Sequence, residues 1–139
     1  MFNHKFTIKS LNMLRNNMLG HVGIEFLEVK DGFISAKMPV DNRTKQPMGL
    51  LHGGASVVLA ETLGSVGALA HIDSETQVPV GQEINANHIK SAKEGEVVGE
   101  ATPIHMGKKS HVWEIKIYDE QRDLVCISRM TVAIITKKK

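Results

Sequence analysis

Residues 50–71 read LLHGGASVVLAETLGSVGALAH, and this stretch decides the fold. Its length and near absence of charge are typical of a packed helix. Ten of the eighteen residues at positions 53–70 are Gly, Ala or Ser. Because glycine costs about 1 kcal/mol relative to alanine inside a helix, this composition indicates that another surface approaches the helix backbone closely. We predict a helix over about 53–71, packed against a sheet, a second subunit or a ligand.

The segments on both sides of this helix alternate between apolar and polar residues with a period of two, which is typical of strands. Before the helix, Asp31 and Gly32 give a hairpin signal between two such runs. After it, the sequence EQRD supplies a turn between the last two runs. The predicted strands cover about 23–30, 33–39, 77–90, 94–105, 110–119 and 123–136.

Two further segments complete the chain. Near its start, apolar residues recur at steps of three and four and predict an amphipathic helix. These residues are Ile8, Leu11, Leu14 and Met18. The polar segment 41–51, which contains Pro47 and Gly49, is predicted to be an ordered loop before the long helix.

This order of elements defines a fold class. We predict one domain over residues 1–139, because the length suits a single core. The chain has too few crossover helices for parallel strands, so the class is α+β with an antiparallel sheet. A long sheet wrapped around one central helix is the arrangement called the hotdog fold.

Composition excludes several classes of protein. The net charge is only +2, aromatic residues make up 4%, and the lysines are scattered apart from the tail at 137–139, so we predict no nucleic-acid partner. Glu61 interrupts the longest weakly polar run, so we predict no membrane span. The start of the chain has no signal-peptide pattern, and Cys126 is the only cysteine, which fits a reducing compartment. We therefore predict a cytoplasmic protein.

Glu61 is the residue that packing alone does not explain. No Lys or Arg lies between positions 46 and 89 to pair with its carboxylate. The plainer interpretation is that Glu61 faces solvent or a subunit interface. Its neighbours favour chemistry instead. Ser65 follows one helical turn later, and His52 and Gly53 stand where the helix begins and leaves backbone N–H groups free.

These parts together describe acyl transfer. An N–H at a helix start stabilises a developing oxyanion by a few kcal/mol, and a carboxylate activates water or attacks a carbonyl. Gln46 lies just upstream, in the constrained loop. No spacing of His, Cys and Asp resembles a zinc site, so we predict neither metal nor cofactor.

Three motifs make the chain resemble a known family. They are Q-P-x-G in the loop, HGGxxxxxAE over 52–61, and EINANH over 83–88. From about residue 8 to 135 the sequence resembles the hotdog-fold acyl-CoA thioesterases of the phenylacetate-degradation type. It is most similar to the members that serve menaquinone synthesis and to those that proofread the enterobactin carrier protein.

The resemblance implies a role for each matching residue. Glu61 matches the catalytic nucleophile or general base, and Gly53 the N–H donor to the thioester oxygen. Gln46 and His52 match the polar residues that orient the thioester, and Ser65 the hydroxyl that positions water. The implied substrate-binding residues are Gly81, His88, Ile89, Lys90, Ser91, His105, Met106, Gly107, Lys108, Lys109 and Ser110.

The resemblance also implies the substrate and the assembly. It implies hydrolysis of an acyl-CoA, with an aromatic or naphthoyl-type acyl group, to free acid and CoA. The site would lie at a subunit interface of a homotetramer built from dimers, with the Gln46 loop and the helix coming from opposite protomers. An acyl carrier protein is an alternative substrate. A hotdog enoyl-CoA hydratase and a non-catalytic acyl-CoA-binding module are weaker alternatives, since Asp is absent from 42–72 and Glu61 is present.

Overall fold

One antiparallel sheet and one long helix dominate the structure, a computed structural model that describes residues 1–139. The helices are α1 (Ile8–Asn12), α2 (Met18–His21) and α3 (Gly53–Leu69). The strands are β1 (Glu25–Lys30), β2 (Phe33–Pro39), β3 (Gln77–His88), β4 (Glu96–Met106), β5 (Ser110–Tyr118) and β6 (Leu124–Thr136). The strand order in the sheet is β1-β2-β4-β5-β6-β3, and all pairs are antiparallel. The predicted strands and long helix are confirmed.

The core lies between α3 and the sheet, which wraps the helix with strands β2 to β6. Leu59 and Leu63 on α3 and Trp113 on β5 are fully buried there. Glycines permit the close approach that the sequence indicates. A Cβ atom added at Gly67 would lie 3.0 Å from the Trp113 ring, and one at Gly99 would lie 2.6 Å from a methyl carbon of Leu63. The sheet is therefore one of the surfaces that approach the helix backbone.

The N-terminal segment differs from the prediction of one amphipathic helix. Two short helices, α1 and α2, replace it, and Leu11 is buried whereas Leu14 and Met18 are each 58% exposed. The physical reason is a competing attachment at the end of α1. The Asn12 side chain accepts a hydrogen bond from the Phe26 N–H at 2.8 Å and donates one to the Phe26 carbonyl at 3.0 Å. This pairing fastens the chain to β1.

The segment before α3 is an ordered loop, as predicted. Thr44 is buried, and its hydroxyl donates to the Pro39 carbonyl at 2.7 Å. The His52 N–H donates to the Thr44 carbonyl at 2.8 Å, and the Leu51 N–H to the Ala92 carbonyl at 2.8 Å. These bonds fix the direction in which the chain enters α3.

The two edges of the sheet differ. β1 has six residues, and its register with β2 shifts between Phe26 and Glu28. β3 has twelve residues and pairs only with β6, with an irregularity between Gly81 and Glu83. Val78 and Val80 of β3 are exposed at 37% and 47%. The long β3 edge is therefore open in the single chain. No helix of the chain is long and apolar enough to cross a membrane.

Candidate active site

The first turn of α3 presents a free backbone donor. His52 caps the helix, and its Nδ1 accepts the Gly54 N–H at 2.8 Å. The Gly53 N–H donates to no group in the chain. The start of a helix carries partial positive charge, and this N–H points away from the helix body. Gly53 therefore offers an unused donor suited to a developing negative charge.

A cleft of about 260 Å³ adjoins this first turn and collects many of the predicted residues. It is lined by Gln46, Leu50, Leu51, Gly53, Ser56, His88, Ile89, Lys90, Ser91, Ala92 and Val125. The His88 ring packs directly on the helix start, because a Cβ atom at Gly53 would lie only 2.8 Å from His88 Nε2. The structure thus brings the Gln46 loop, Gly53 and the 88–91 segment together.

Gln46 is held by its own loop. Its N–H donates to the Leu50 carbonyl at 2.8 Å, and its carbonyl accepts the Gly49 N–H at 2.9 Å. Its side-chain oxygen Oε1 accepts the Met48 N–H, while its side-chain amide nitrogen makes no hydrogen bond within the chain. Because Oε1 is occupied, the group left to face a ligand is the NH₂ donor. A donor is the group that polarises a carbonyl.

Glu61 lies on the exposed side of α3 and makes no ion pair or hydrogen bond in the chain. Its carboxylate rests over β3, because a Cβ atom at Gly81 would lie 3.0 Å from Glu61 Oε1. The absence of a side chain at Gly81 leaves room for the carboxylate. Ser65, one turn further along, is half-buried. In the single chain Glu61 thus faces outward, as the plainer interpretation holds, and it is free to act on something from outside the chain.

Glu61 and Gly53 do not meet within one chain. Eight residues separate them on one straight helix, which corresponds to about 12 Å along its axis. Groups that act on one carbonyl must approach it to about 3 Å. The expected division between protomers also needs correction, because the Gln46 loop and the first turn of α3 line the same cleft of the same chain. Gly53 lines this cleft together with Gln46, whereas Glu61 does not.

Lys90 differs from the other lysines of the predicted coenzyme surface. Its ammonium contacts Asp119 Oδ2 at 2.7 Å and Asp123 Oδ2 at 2.6 Å, across the turn between β5 and β6. Hydrogen bonds to these carboxylates raise the pKa of Lys90, and the Lys90 ammonium lowers the pKa of Asp119. Lys108 and Lys109 have no such partners. Two carboxylates therefore already face the single positive charge of Lys90.

The structure does not bring the predicted segment 105–110 to the cleft. His88 pairs with Cys126, which pairs with Ile117 near one end of β5. Met106 pairs with His111 at the opposite end of β5. The two segments proposed to contact coenzyme A thus lie at opposite ends of the sheet.

Sequence reasoning missed Ser56, and it assigned only a structural role to His4, His21, His71 and His111. Ser56 is buried and lines the cleft, and its position one helical turn after Gly53 is the signal that could have found it. His71 is structural, as predicted: Nδ1 contacts the Gly67 carbonyl at 2.7 Å and Nε2 accepts the Gly32 N–H at 2.9 Å. No group of three or more metal-binding side chains is present.

Comparison with known proteins identifies the class. The chain matches the family model of the thioesterase superfamily over residues 48–126. It is 50% identical over 136 residues to the 1,4-dihydroxy-2-naphthoyl-CoA hydrolase of Escherichia coli (strain K12), which covers 97% of this chain and 99% of that protein. It is 47% identical over 130 residues to the proofreading thioesterase EntH of Cronobacter turicensis, with coverage of 92% and 93%.

The solved structures agree. A thioesterase of Haemophilus influenzae superposes with a TM-score of 0.91 at 45% identity, over 94% of this chain and 92% of that one. A thioesterase of Pseudomonas aeruginosa gives a TM-score of 0.95 at 39% identity, over 98% and 99%. The chain therefore belongs to the thioesterase superfamily, and it is a thioester hydrolase. The hotdog fold predicted from the helix and its flanking strands is confirmed.

Proposed function

We propose that the chain hydrolyses acyl-CoA thioesters with aromatic or naphthoyl-type acyl groups, in the cytoplasm and in the service of menaquinone synthesis. The observation that carries the proposal is that two groups on the same helix have no hydrogen-bond partner in the chain. They are the Gly53 N–H and the Glu61 carboxylate on the outer side of the helix. The 50% identity to a naphthoyl-CoA hydrolase supports the acyl class.

Each group has a defined part in the reaction. The Gly53 N–H and the Gln46 amide donate to the thioester oxygen and stabilise the negative charge that develops on it. Glu61 removes a proton from the attacking water, or attacks the carbonyl to form a short-lived anhydride. Ser65 holds the water, and His52 keeps the first turn in place through its bond to Gly54. A thiolate leaves readily, so the mechanism calls on no metal or cofactor.

The proposal includes a second copy of the chain. Since about 12 Å of helix separates Gly53 from Glu61, a complete site combines the cleft of one protomer with Glu61 and Ser65 of another. The open β3 edge and its exposed valines support this pairing. We propose a homotetramer of two such dimers, in which the 105–110 segment of another chain contacts the nucleotide end of the coenzyme.

The test is thiol release, followed with a thiol-reactive dye across aromatic and aliphatic acyl-CoAs. Glu61→Gln should lower turnover by at least a thousandfold and leave coenzyme A binding intact, because only the transition-state role is removed. Glu114→Gln, on β5, is the matched control. A Glu61→Gln rate above about a tenth of wild type would show that another group is the base, since a factor of ten is only about 1.4 kcal/mol.

A carrier-protein substrate is the second candidate. The 47% identity to a proofreading thioesterase supports it, as do Lys108 and Lys109, which have no ion-pair partner and stand free to meet an acidic protein surface. Adding one acylated carrier protein to the same assay separates the two. A higher kcat/KM on the carrier protein than on any acyl-CoA would favour proofreading.

A further inference from the structure

A second, larger cavity of about 770 Å³ lies at the C-terminal end of α3 and shares no lining residue with the cleft. Residues 1–4 form one wall, and the Asn3 N–H fixes them to the helix end by donating to the Ala70 carbonyl at 2.7 Å. Met106 and Lys108 form the opposite wall. This volume is within the range of small-molecule sites. The cleft does not extend into it, although Met106, Gly107 and Lys108 in its lining also belong to the 105–110 segment proposed to contact the coenzyme.

One buried histidine at this cavity has a free nitrogen. His111 is 2% exposed and lines the cavity. The indole N–H of Trp113 is directed at His111 Nδ1 at 3.5 Å, and because indole only donates, Nδ1 is the acceptor and Nε2 carries the proton. Nε2 has no hydrogen-bond partner in the chain. Every fully buried side-chain nitrogen in this structure has such a partner, so Nε2 is not fully buried and is reachable from the cavity that the ring lines.

His71 gives an internal comparison, because it lines the same cavity with both ring nitrogens occupied. A histidine with only a packing role therefore has its polar atoms satisfied here. Burial, together with the nearby His71 and His105, lowers the pKa of His111 to about 4, so its ring is neutral at pH 7. His111 thus offers one fixed, uncharged N–H donor to the cavity.

The charges around the cavity favour an anion. Lys108 lines it, is exposed, and makes no ion pair in the chain. Asp73 is the one carboxylate in the lining, and both its oxygens are engaged: Oδ1 accepts the Glu75 N–H at 3.0 Å and Oδ2 the Thr76 hydroxyl at 2.8 Å. The groups that can attract an anion therefore include the Lys108 ammonium, the nearby N-terminal ammonium of Met1 and the His111 donor, against the single charge of Asp73.

The walls favour a flat apolar body. The rings of Phe2 and His4 meet edge to face at 4.9 Å between centroids, and Phe2 lies tilted against His71 at 5.4 Å. Ile72 and Met106 supply aliphatic surface. Aromatic rings arranged in this way accept another ring by edge-to-face or offset contact.

We propose that this cavity binds a small carboxylic acid with a flat apolar body, whose carboxylate accepts the His111 Nε2–H and is attracted by Lys108. Such acids include the products of aromatic thioester hydrolysis, but the inference does not depend on the proposed reaction. It assigns a second site, apart from the cleft.

The probe is 2-naphthoate, and the measurement is isothermal titration calorimetry on the full chain. We expect one site per chain outside the cleft. His111→Phe and Lys108→Glu should each weaken it by about tenfold or more, the loss expected for a hydrogen bond or close cation to a charged group. His111→Gln should bind within about threefold of wild type, because its amide still donates. Lys9→Glu, an equal charge change on α1, is the control and should bind as wild type does.

Further binding measurements distinguish this site from the active site. Binding should persist in Glu61→Gln and in Gln46→Ala, and 2-naphthalenemethanol, which lacks the charge, should bind at least about tenfold more weakly. The proposal is overturned if wild type shows no binding, if Glu61→Gln or Gln46→Ala abolishes binding, or if Lys108→Glu binds as tightly as Lys9→Glu. Lys108 is exposed, so its variant is decisive even if His111→Phe fails to fold.

Discussion

Lys90 lies at the cleft and also forms ion pairs with two carboxylates. Asp119 and Asp123 hold its ammonium, although it lines the cleft where coenzyme A phosphates are expected. Asp119 also organises its own turn, because Oδ1 accepts the N–H groups of Gln121 and Asp123. An asparagine would keep that acceptor and remove the charge. Any phosphate that reaches Lys90 must compete with two carboxylates.

This competition gives a prediction. Replacing both carboxylates, Asp119→Asn with Asp123→Asn, should tighten coenzyme A binding severalfold because the Lys90 ammonium is released. Lys90→Met alone should weaken binding, because it leaves the carboxylates of Asp119 and Asp123 without a counter-charge beside the cleft. Calorimetric titration of the three variants, and of the double change in a Lys90→Met background, measures both effects. If coenzyme A still binds more tightly when the double change is made in the Lys90→Met background, the cause is the loss of two negative charges near the cleft and not the release of Lys90.

His111 gives a second prediction at this scale. Its native pKa of about 4 lies below the ordinary 6.5, so on acidification the unfolded chain takes up a proton before the native chain does. Its contribution to stability is complete above about pH 6.5 and falls as the pH drops towards 4, by up to about 3 kcal/mol. His111→Gln should flatten the slope of unfolding free energy over this window, measured by urea denaturation. An unchanged slope would mean that His111 titrates normally.

At this scale the sequence located the residues that lie at the start of α3 and along the cleft. Helix-start geometry follows from the chain itself, so Gly53 and His52 could be placed, and the motif resemblance added the 88–91 segment. The partners of Lys90 could not be predicted, because Asp119 is 29 residues away and meets it only after β3, β5 and β6 have aligned. The same holds for His111, whose contact with the cavity depends on how residues 1–4 fold back.

At the scale of the element, the small residues of α3 allow the sheet to pack close to the helix backbone. Its intrinsic propensity is poor, and its stability comes from Leu59 and Leu63 in the core and from the sheet that reaches its glycines. This explains why a pattern of small residues predicted the helix correctly. The prediction of one amphipathic helix over 8–18 was wrong because the spacing of apolar residues does not show that the Asn12 side chain binds β1.

The glycines of α3 give the prediction at this scale. Gly67→Ala should destabilise the chain by about 1–3 kcal/mol, although alanine is the better helix former, because the new Cβ would lie 3.0 Å from the fully buried Trp113 ring. Gly64→Ala should cost less, since its nearest neighbour is the flexible thioether of Met130. Thermal or urea unfolding compares the two. A more stable Gly67→Ala would show that the indole moves aside.

For the whole molecule, the decisive property is that one chain does not complete the proposed site. Mixing Gln46→Ala with Glu61→Gln tests this directly. In a mixed dimer one site carries both changes and the other carries none. Random exchange should therefore restore about a quarter of wild-type activity, because half the dimers are mixed and each has one intact site of two. Co-refolded protein is assayed for thiol release against each variant alone. Activity no higher than the mean of the two variants would place both residues in one chain's site.

The strand order has a consequence for how the chain is made. β3, at residues 77–88, pairs only with β6, which is the last strand in the sequence. During synthesis β3 therefore has no sheet partner until β6 has been made. Its apolar alternation is then open to strands of neighbouring nascent chains. The closing step of folding joins distant segments and is the slow one. Truncation within β6 should therefore yield aggregated protein rather than a smaller folded unit.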